Sequence, residues 1–181
     1  MSGFEFIFSL FGLMLGLSLA EGLGGLTRAI KARGIATIGW PTALLGLFVS
    51  CDVVTFWMYG WAMRDQLPLS WPVMFGGFVV TAIYYVAASL VFPDALDRDS
   101  DLTAHFDKNY RTVIGAVLLC NLVLIGVAFA LLNFAFDLRT AILTFSFFPV
   151  SLTAILVPRR PVVIACLIWL IALYPLSAVW H

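Results

Sequence analysis

The strongest constraint on the fold is a series of six apolar stretches separated by short charged segments. An α-helix needs about 20 apolar residues to cross the roughly 30 Å hydrocarbon layer of a bilayer, and every stretch is long enough. The predicted spans are 5–27, 38–62, 71–92, 112–136, 140–157 and 161–180. We therefore predict an all-α, polytopic integral membrane protein with six transmembrane helices, forming a single domain over residues 1–181.

The composition agrees with this class of protein. Hydrophobic residues make up 62% of the chain and charged residues 11%, whereas a soluble domain has about 45–50% apolar and about 25% charged residues. Ten basic residues balance ten acidic ones, so no net charge indicates nucleic-acid binding. The N-terminus lacks a basic segment ahead of its apolar stretch, so we expect the first span to be retained. The bilayer is the expected partner, in the plasma membrane or, in a bacterium, the inner membrane.

The positions of the basic residues predict the orientation. Short loops rich in Lys and Arg stay cytoplasmic, and eight of the ten basic residues follow the first, third and fifth spans: Arg28, Lys31, Arg33, Arg98, Lys108, Arg111, Arg159 and Arg160. The opposite side carries only Arg64 and Arg139. We expect both termini outside, and a cytoplasmic acidic loop at 93–111.

Spans three and six share a few positions when they are aligned from their Pro-Val starts. Tyr85 then matches Tyr174. Because these spans run in opposite directions, the match fits a weak inverted three-plus-three repeat of the kind that transporters use.

Asp52 is the most informative polar residue. It lies about fourteen residues from one end of its span and ten from the other, so its short side chain cannot reach either interface. An aspartate at this depth costs about 2.5–3.5 kcal/mol on insertion scales and requires a partner, water or a proton. Thr55 and Tyr59 extend a polar stripe from it towards the outside. We predict a site that takes up and releases protons; the alternative is a hydrogen bond to a neighbouring helix that only holds the bundle together.

Glu21 is the second acid within a predicted span. It lies roughly 10 Å from the cytoplasmic Arg28 at 1.5 Å per residue. One interpretation is a protonatable or cation-binding site in an inner vestibule. The other is an ion pair with Arg28 close to the interface, where a charge costs little.

Two further features concern helix packing. Gly12, Gly16, Ala20 and Gly24 recur every four residues in the first span, and such a groove lets another backbone approach, from this chain or from a second copy. Pro149 in the fifth span removes a backbone hydrogen bond and predicts a kink. Hydroxyl side chains surround it, and Asn121 of the fourth span is predicted at a comparable depth. The kink either lines a cavity or is satisfied by these hydroxyls.

The loop DRDSDLTAHFDK resembles the start of a calcium-binding loop. Leu102 replaces the required glycine and Lys108 the required glutamate, so we predict no metal site. We expect instead that Asp99 or Ser100 caps a short amphipathic segment whose lipid-facing side chains are Leu102, Phe106 and Tyr110.

The sequence favours a conduit or carrier for protons or small cations that uses intramembrane carboxylates. The alternative is a non-transporting scaffold or accessory subunit of a membrane complex. The only histidines are His105 and His181, and no metalloprotease motif or haem-binding histidine pair is present, so an enzyme ranks last and no cofactor is predicted. The small-residue groove predicts a homo-oligomer or a membrane-protein partner.

Overall fold

The computed structural model describes residues 3–31, 39–68, 70–94, 101–131 and 138–180, with the side chains of 3–7 excepted. Within this part of the chain the protein is all-α, and six helical segments are long and apolar enough to cross a membrane. Predictions that involve Arg33, Asp97, Arg98, Asp99, Ser100 or His181 lie outside the described residues.

The first four spans are single helices: α1 (Gly3–Lys31), α2 (Trp40–Ala62), α3 (Trp71–Ser89) and α4 (Leu102–Leu131). The fifth consists of the short α5 (Leu138–Thr140), a π-helical turn (Ala141–Phe145) and α6 (Phe147–Leu156), and the sixth is α7 (Arg160–Val179). Three helices carry a proline in the first turn, where its missing N–H costs no intrahelical bond.

The core forms around α2, which packs against α1, α3, α4 and α7. Its side chains Leu45, Phe48 and Val53 are buried, while large apolar side chains such as Leu13, Met58 and Val179 stay exposed on the outside of the bundle. An apolar exterior around a buried core is expected where the solvent is hydrocarbon, because lipid accepts apolar side chains as readily as the protein interior does.

Helix α4 begins ten residues before the predicted start of the fourth span. Asp101 caps it: its Oδ1 accepts hydrogen bonds from the backbone N–H groups of Thr103 at 2.8 Å and Ala104 at 3.2 Å. These bonds favour the ionised carboxylate and hold the pKa of Asp101 below its ordinary value. The capped segment expected within 93–111 is thus the first part of α4, with Asp101 as its cap, because capping lets the helix extend beyond its apolar section.

The predicted lipid-facing side of this segment also needs correction. Leu102, Phe106 and Tyr110 are 1%, 1% and 6% exposed, so they face the protein interior. They continue the buried stripe of Val113 and Val117 on the same helix. In addition, the Thr42 hydroxyl donates to the Leu102 carbonyl at 3.0 Å, tying the start of α4 to the start of α2.

The predicted small-residue groove of α1 packs against the rest of this chain only at one end, where a Cβ added to Gly12 would overlap the ring of Trp57 on α2. Gly16 and Ala20 are exposed, and no atom lies within 4 Å of a Cβ built on Gly16. The buried positions of α1 are instead Leu15, Ser18, Gly22, Gly25 and Ala29. Contact of the groove with a second copy stays a prediction.

Candidate functional site

Asp52 lies at the centre of a hydrogen-bond network that joins four helices. Its side chain is buried, with 2% of the residue exposed. Oδ2 accepts from the Tyr84 hydroxyl at 2.6 Å and from Asn121 Nδ2 at 2.9 Å, and Oδ1 accepts from the Tyr174 hydroxyl at 2.8 Å. The donors come from α3, α4 and α7, so the carboxyl group of α2 meets three polar side chains from three other spans.

Two of the three donors are themselves held in place. Tyr84 is completely buried, and its ring packs against Phe56 with the ring centroids 5.1 Å apart. Asn121 donates a second hydrogen bond to the Val117 carbonyl at 3.0 Å, one turn earlier on α4. Because these contacts hold the Tyr84 hydroxyl and the Asn121 amide in place, both groups point at the carboxyl group without further rearrangement.

A cavity of about 260 Å³ extends from this network to the predicted outer end of the bundle. Asp52, Asn121 and Tyr174 line its deep end. The side chains nearer the helix ends include Thr55, Tyr59, Arg139, Thr140 and Ser177. Tyr59, Arg139 and Ser177 are exposed, so the cavity has its mouth there.

Apolar side chains close the other direction. Phe48 lies one helical turn from Asp52 towards the predicted cytoplasmic side and is completely buried. Its ring stacks on that of Phe147, with the centroids 6.2 Å apart. The route from Asp52 to the opposite face therefore meets two aromatic rings, and the cavity is one-sided.

The fifth span forms one wall of the cavity through its irregular turn. Thr140, Leu143 and Thr144 line it, and the Ser146 N–H donates to the Ala141 carbonyl at 3.2 Å across five residues. Single π turns inside α-helices occur frequently at functional sites. This π-helical turn precedes Pro149, which lies in the first turn of α6; the kink predicted at the proline stays a prediction.

Hydroxyl groups satisfy backbone carbonyls around this turn. The Ser146 hydroxyl donates to the Ile142 carbonyl and accepts from Trp169 Nε1 at 3.2 Å, and the Thr153 hydroxyl donates to the Pro149 carbonyl at 2.7 Å. These hydroxyls bond to the carbonyls of Ile142 and Pro149, and the same span lines the cavity, so both alternatives considered for Pro149 stay open.

The predicted site residues divide into two groups. Asn121 contacts Asp52 directly, and Thr55 and Tyr59 line the same cavity, although the Thr55 hydroxyl donates to the Cys51 carbonyl at 2.9 Å. Glu21 does not line it; its carboxylate accepts from Arg28 at 3.0 Å, and both side chains are partly exposed. This is the ion pair that was the alternative interpretation of Glu21.

The sequence did not indicate Tyr84 as a partner of Asp52. The predicted repeat drew attention to Tyr85, which is 38% exposed, whereas the adjacent Tyr84 binds the carboxylate. A signal was available: Tyr84 and Tyr174 are hydroxyl-bearing side chains within apolar spans, and a buried hydroxyl requires a partner. The repeat itself stays a prediction.

Replacing Tyr84 with phenylalanine should lower the free energy of unfolding by about 1–3 kcal/mol, because it takes one donor from a buried carboxyl group. Tyr59→Phe is the matched control, since Tyr59 is 43% exposed and lines the cavity mouth, and it should change stability by less than about 0.5 kcal/mol. Unfolding of the detergent-solubilised variants, followed by tryptophan fluorescence, measures both values. Equal losses in the two variants would show that the Tyr84 bond adds nothing specific.

The fold and this site define a polytopic helical membrane protein with a buried carboxyl group at the end of a one-sided cavity that polar and apolar side chains line together. No protein-family model, curated protein or solved structure matches the chain significantly. Function is therefore inferred from the chemistry of the site.

Proposed function

We propose that this protein is a proton carrier, within the wider class of carriers for protons or small cations, and that Asp52 takes up and releases the proton. One observation supports this most directly: the carboxyl group lies at the deep end of a cavity that opens at one end of the bundle and carries hydroxyl side chains among its apolar lining. We expect the protein to work in the plasma membrane, or in a bacterial inner membrane, where a proton gradient is available.

The hydrogen bonds of Asp52 favour a proton over a metal ion as the species bound. A carboxylate has about four lone-pair sites, and Tyr84, Asn121 and Tyr174 occupy three. The remaining site can accept a proton. A metal ion needs several oxygen ligands at once, and no group of three or more His, Cys, Asp or Glu side chains is found among the described residues.

Charge at the cavity mouth supports the same choice. Arg139 lines the cavity and donates to the Ser177 carbonyl at 3.5 Å, one turn beyond Tyr174 on α7. The guanidinium there stays protonated and opposes any entering positive charge, a divalent metal ion more strongly than a single proton. A proton can instead move along water and hydroxyl groups, and Thr55, Tyr59 and Thr140 supply hydroxyls along the cavity.

The closed side of the site favours a carrier over an open channel. Phe48 and Phe147 separate Asp52 from the predicted cytoplasmic face, so a proton that enters the cavity needs a rearrangement of helices to leave on the other side. The π-helical turn beside Phe147 is the part of the wall where the helical register is already irregular.

Proton flux into liposomes that contain the purified protein tests the proposal. A potassium diffusion potential across the liposome membrane supplies the driving force, and an enclosed pH-sensitive dye reports the internal pH. The internal pH should change several-fold faster than in protein-free liposomes, with no matching uptake of radioactive sodium. A rate equal to that of protein-free liposomes would contradict the proposal.

The second candidate is a scaffold or accessory subunit in which Asp52 only joins helices. Its specific support is that the carboxyl group binds side chains of three other spans. A scaffold requires a partner, a second copy or another membrane protein, and the exposed Gly16 and Ala20 on α1 are where close contact with one is expected. Absence of proton flux, together with a stable complex of defined size in mild detergent, would favour this candidate.

A further inference from the structure

We propose that a pocket between the start of α4 and the start of α7 binds the phosphodiester headgroup of an anionic lipid. The pocket has a volume of about 340 Å³ and lies at the end of the bundle that the charge bias predicts to be cytoplasmic. Its lining residues are Phe106, Asp107, Tyr110, Arg111, Pro158, Arg160 and Val163. The site is separate from the cavity of Asp52.

Buried aromatic side chains form the base of this pocket. Phe106 and Tyr110 are 1% and 6% exposed, and their rings stack with the centroids 5.1 Å apart. Tyr110 in turn holds Arg111: the Arg111 Nε donates to the tyrosine hydroxyl at 3.1 Å, and the guanidinium carbon lies 5.7 Å from the ring centroid. Arg111 is therefore positioned before any ligand binds.

Among the described residues, the Arg111 side chain makes one hydrogen bond, from Nε to the Tyr110 hydroxyl. Its two terminal nitrogens have no acceptor there. The second arginine, Arg160, binds both carboxylate oxygens of Asp107, with Nε at 3.1 Å and 3.2 Å and Nη2 also in contact. This ion pair is about half exposed, and exposed ion pairs contribute little to stability. Arg160 can therefore contact a ligand without a large loss.

The charge of the lining favours a lipid phosphodiester over free phosphate. Two guanidinium groups and one carboxylate leave one positive charge in excess, which matches the single negative charge of a phosphodiester. A phosphate monoester carries about 1.5 to 2 negative charges at pH 7, and Asp107 would repel it. The apolar Phe106, Pro158 and Val163 suit the glycerol region of a lipid, and basic pockets between membrane helices bind anionic headgroups in other proteins.

Native mass spectrometry of the full-length protein tests this inference with phosphatidylglycerol and phosphatidylcholine of equal chain length. We expect tighter binding of phosphatidylglycerol, and about a fivefold loss of that affinity in Arg111→Gln, in keeping with the effect of one basic residue near a membrane surface. The double variant Asp107→Asn/Arg160→Gln should show a similar loss, because it removes the second guanidinium, and it leaves no unpaired carboxylate because both members of the ion pair are replaced; it provides the second test if Arg111→Gln fails to fold. Arg64→Gln is the matched control, because Arg64 lies over the Trp61 ring at the opposite end of the bundle.

Three outcomes would overturn the inference. One is equal affinity for the two lipids. Another is unchanged phosphatidylglycerol binding in both the Arg111 and the double variant, or an equal loss in Arg64→Gln. The third is displacement of bound phosphatidylglycerol by inorganic phosphate at the same concentration as the lipid, when chloride at the same ionic strength does not displace it. This result would indicate a site for a soluble anion.

Discussion

Replacing Asp52 with asparagine should reduce proton flux in the liposome assay to the rate of protein-free liposomes while the protein still folds. The amide is nearly the same size as the carboxyl group but does not titrate. Its oxygen still accepts a hydrogen bond, and its NH₂ group can donate to a tyrosine hydroxyl, which acts as donor or acceptor. We therefore expect a stability loss of only about 1–3 kcal/mol, with complete loss of transport.

Glu21→Gln is the matched control for this prediction. It removes the other acid that lies away from the ends of the predicted spans by the same chemical change, but Glu21 pairs with Arg28 and does not line the cavity. Proton flux through Glu21→Gln should therefore stay within about twofold of the unmodified protein. Flux that persists in Asp52→Asn, or falls equally in both variants, would eliminate Asp52 as the proton-binding group. Thermal unfolding of each variant in detergent separates a loss of transport from a loss of folding.

Replacing Gly25 with alanine should lower the free energy of unfolding by about 1–3 kcal/mol, because the added methyl group overpacks a buried contact. A Cβ on Gly25 would lie 2.7 Å from both Cβ and Cγ of Phe92, a side chain that is 4% exposed. These atoms are near the backbone of Phe92, so rotation of the ring cannot relieve the overlap. Phe92 also touches Gly46 of α2, which limits its movement in the other direction.

The control for this prediction is Gly16→Ala, on the same helix and with the same chemical change. Nothing lies within 4 Å of its added Cβ, and alanine is favoured over glycine within a helix, so stability should stay equal or increase slightly. Titration of a denaturing detergent into the protein in mild detergent, followed by tryptophan fluorescence, measures the free energy of unfolding of both variants. A loss in Gly16→Ala as large as that in Gly25→Ala would show that the exposed stripe of α1 packs against something absent from the single chain.

The packing of α1 shows how far a sequence pattern can be followed. Four small residues at every fourth position predicted a face for close helix approach. Of these, Gly12 lies against the Trp57 ring while Gly16 is open, and two other glycines, Gly25 and Gly77, contact the rings of Phe92 and Phe11. Spacing identifies which residues share a face of one helix. It does not identify which face the neighbouring helices occupy, because that depends on the shapes of both surfaces.

The start of α4 shows a second limit. Hydropathy predicted the apolar section of this helix, and the structure adds a first section that projects past the predicted span with Asp101 as its cap. The same section carries Asp107 and Arg111 to the ends of α6 and α7. The sequence pattern indicated a capped amphipathic segment here, but not which helices its apolar stripe would contact, so the pocket at this end of the bundle could not be predicted.

The sequence by itself determined the class of fold and the importance of Asp52. The class of fold and the importance of Asp52 both depend only on position along the chain. The length of an apolar run shows whether it can cross the hydrocarbon layer, and an aspartate in the middle of such a run needs a partner whichever way its side chain points. The tertiary structure alone decided the identity of those partners. Neighbouring residues on a helix point about 100° apart, so Tyr84 reaches the carboxyl group while Tyr85 faces outwards, and only the packing of α3 against the other helices fixes which of the two turns inwards.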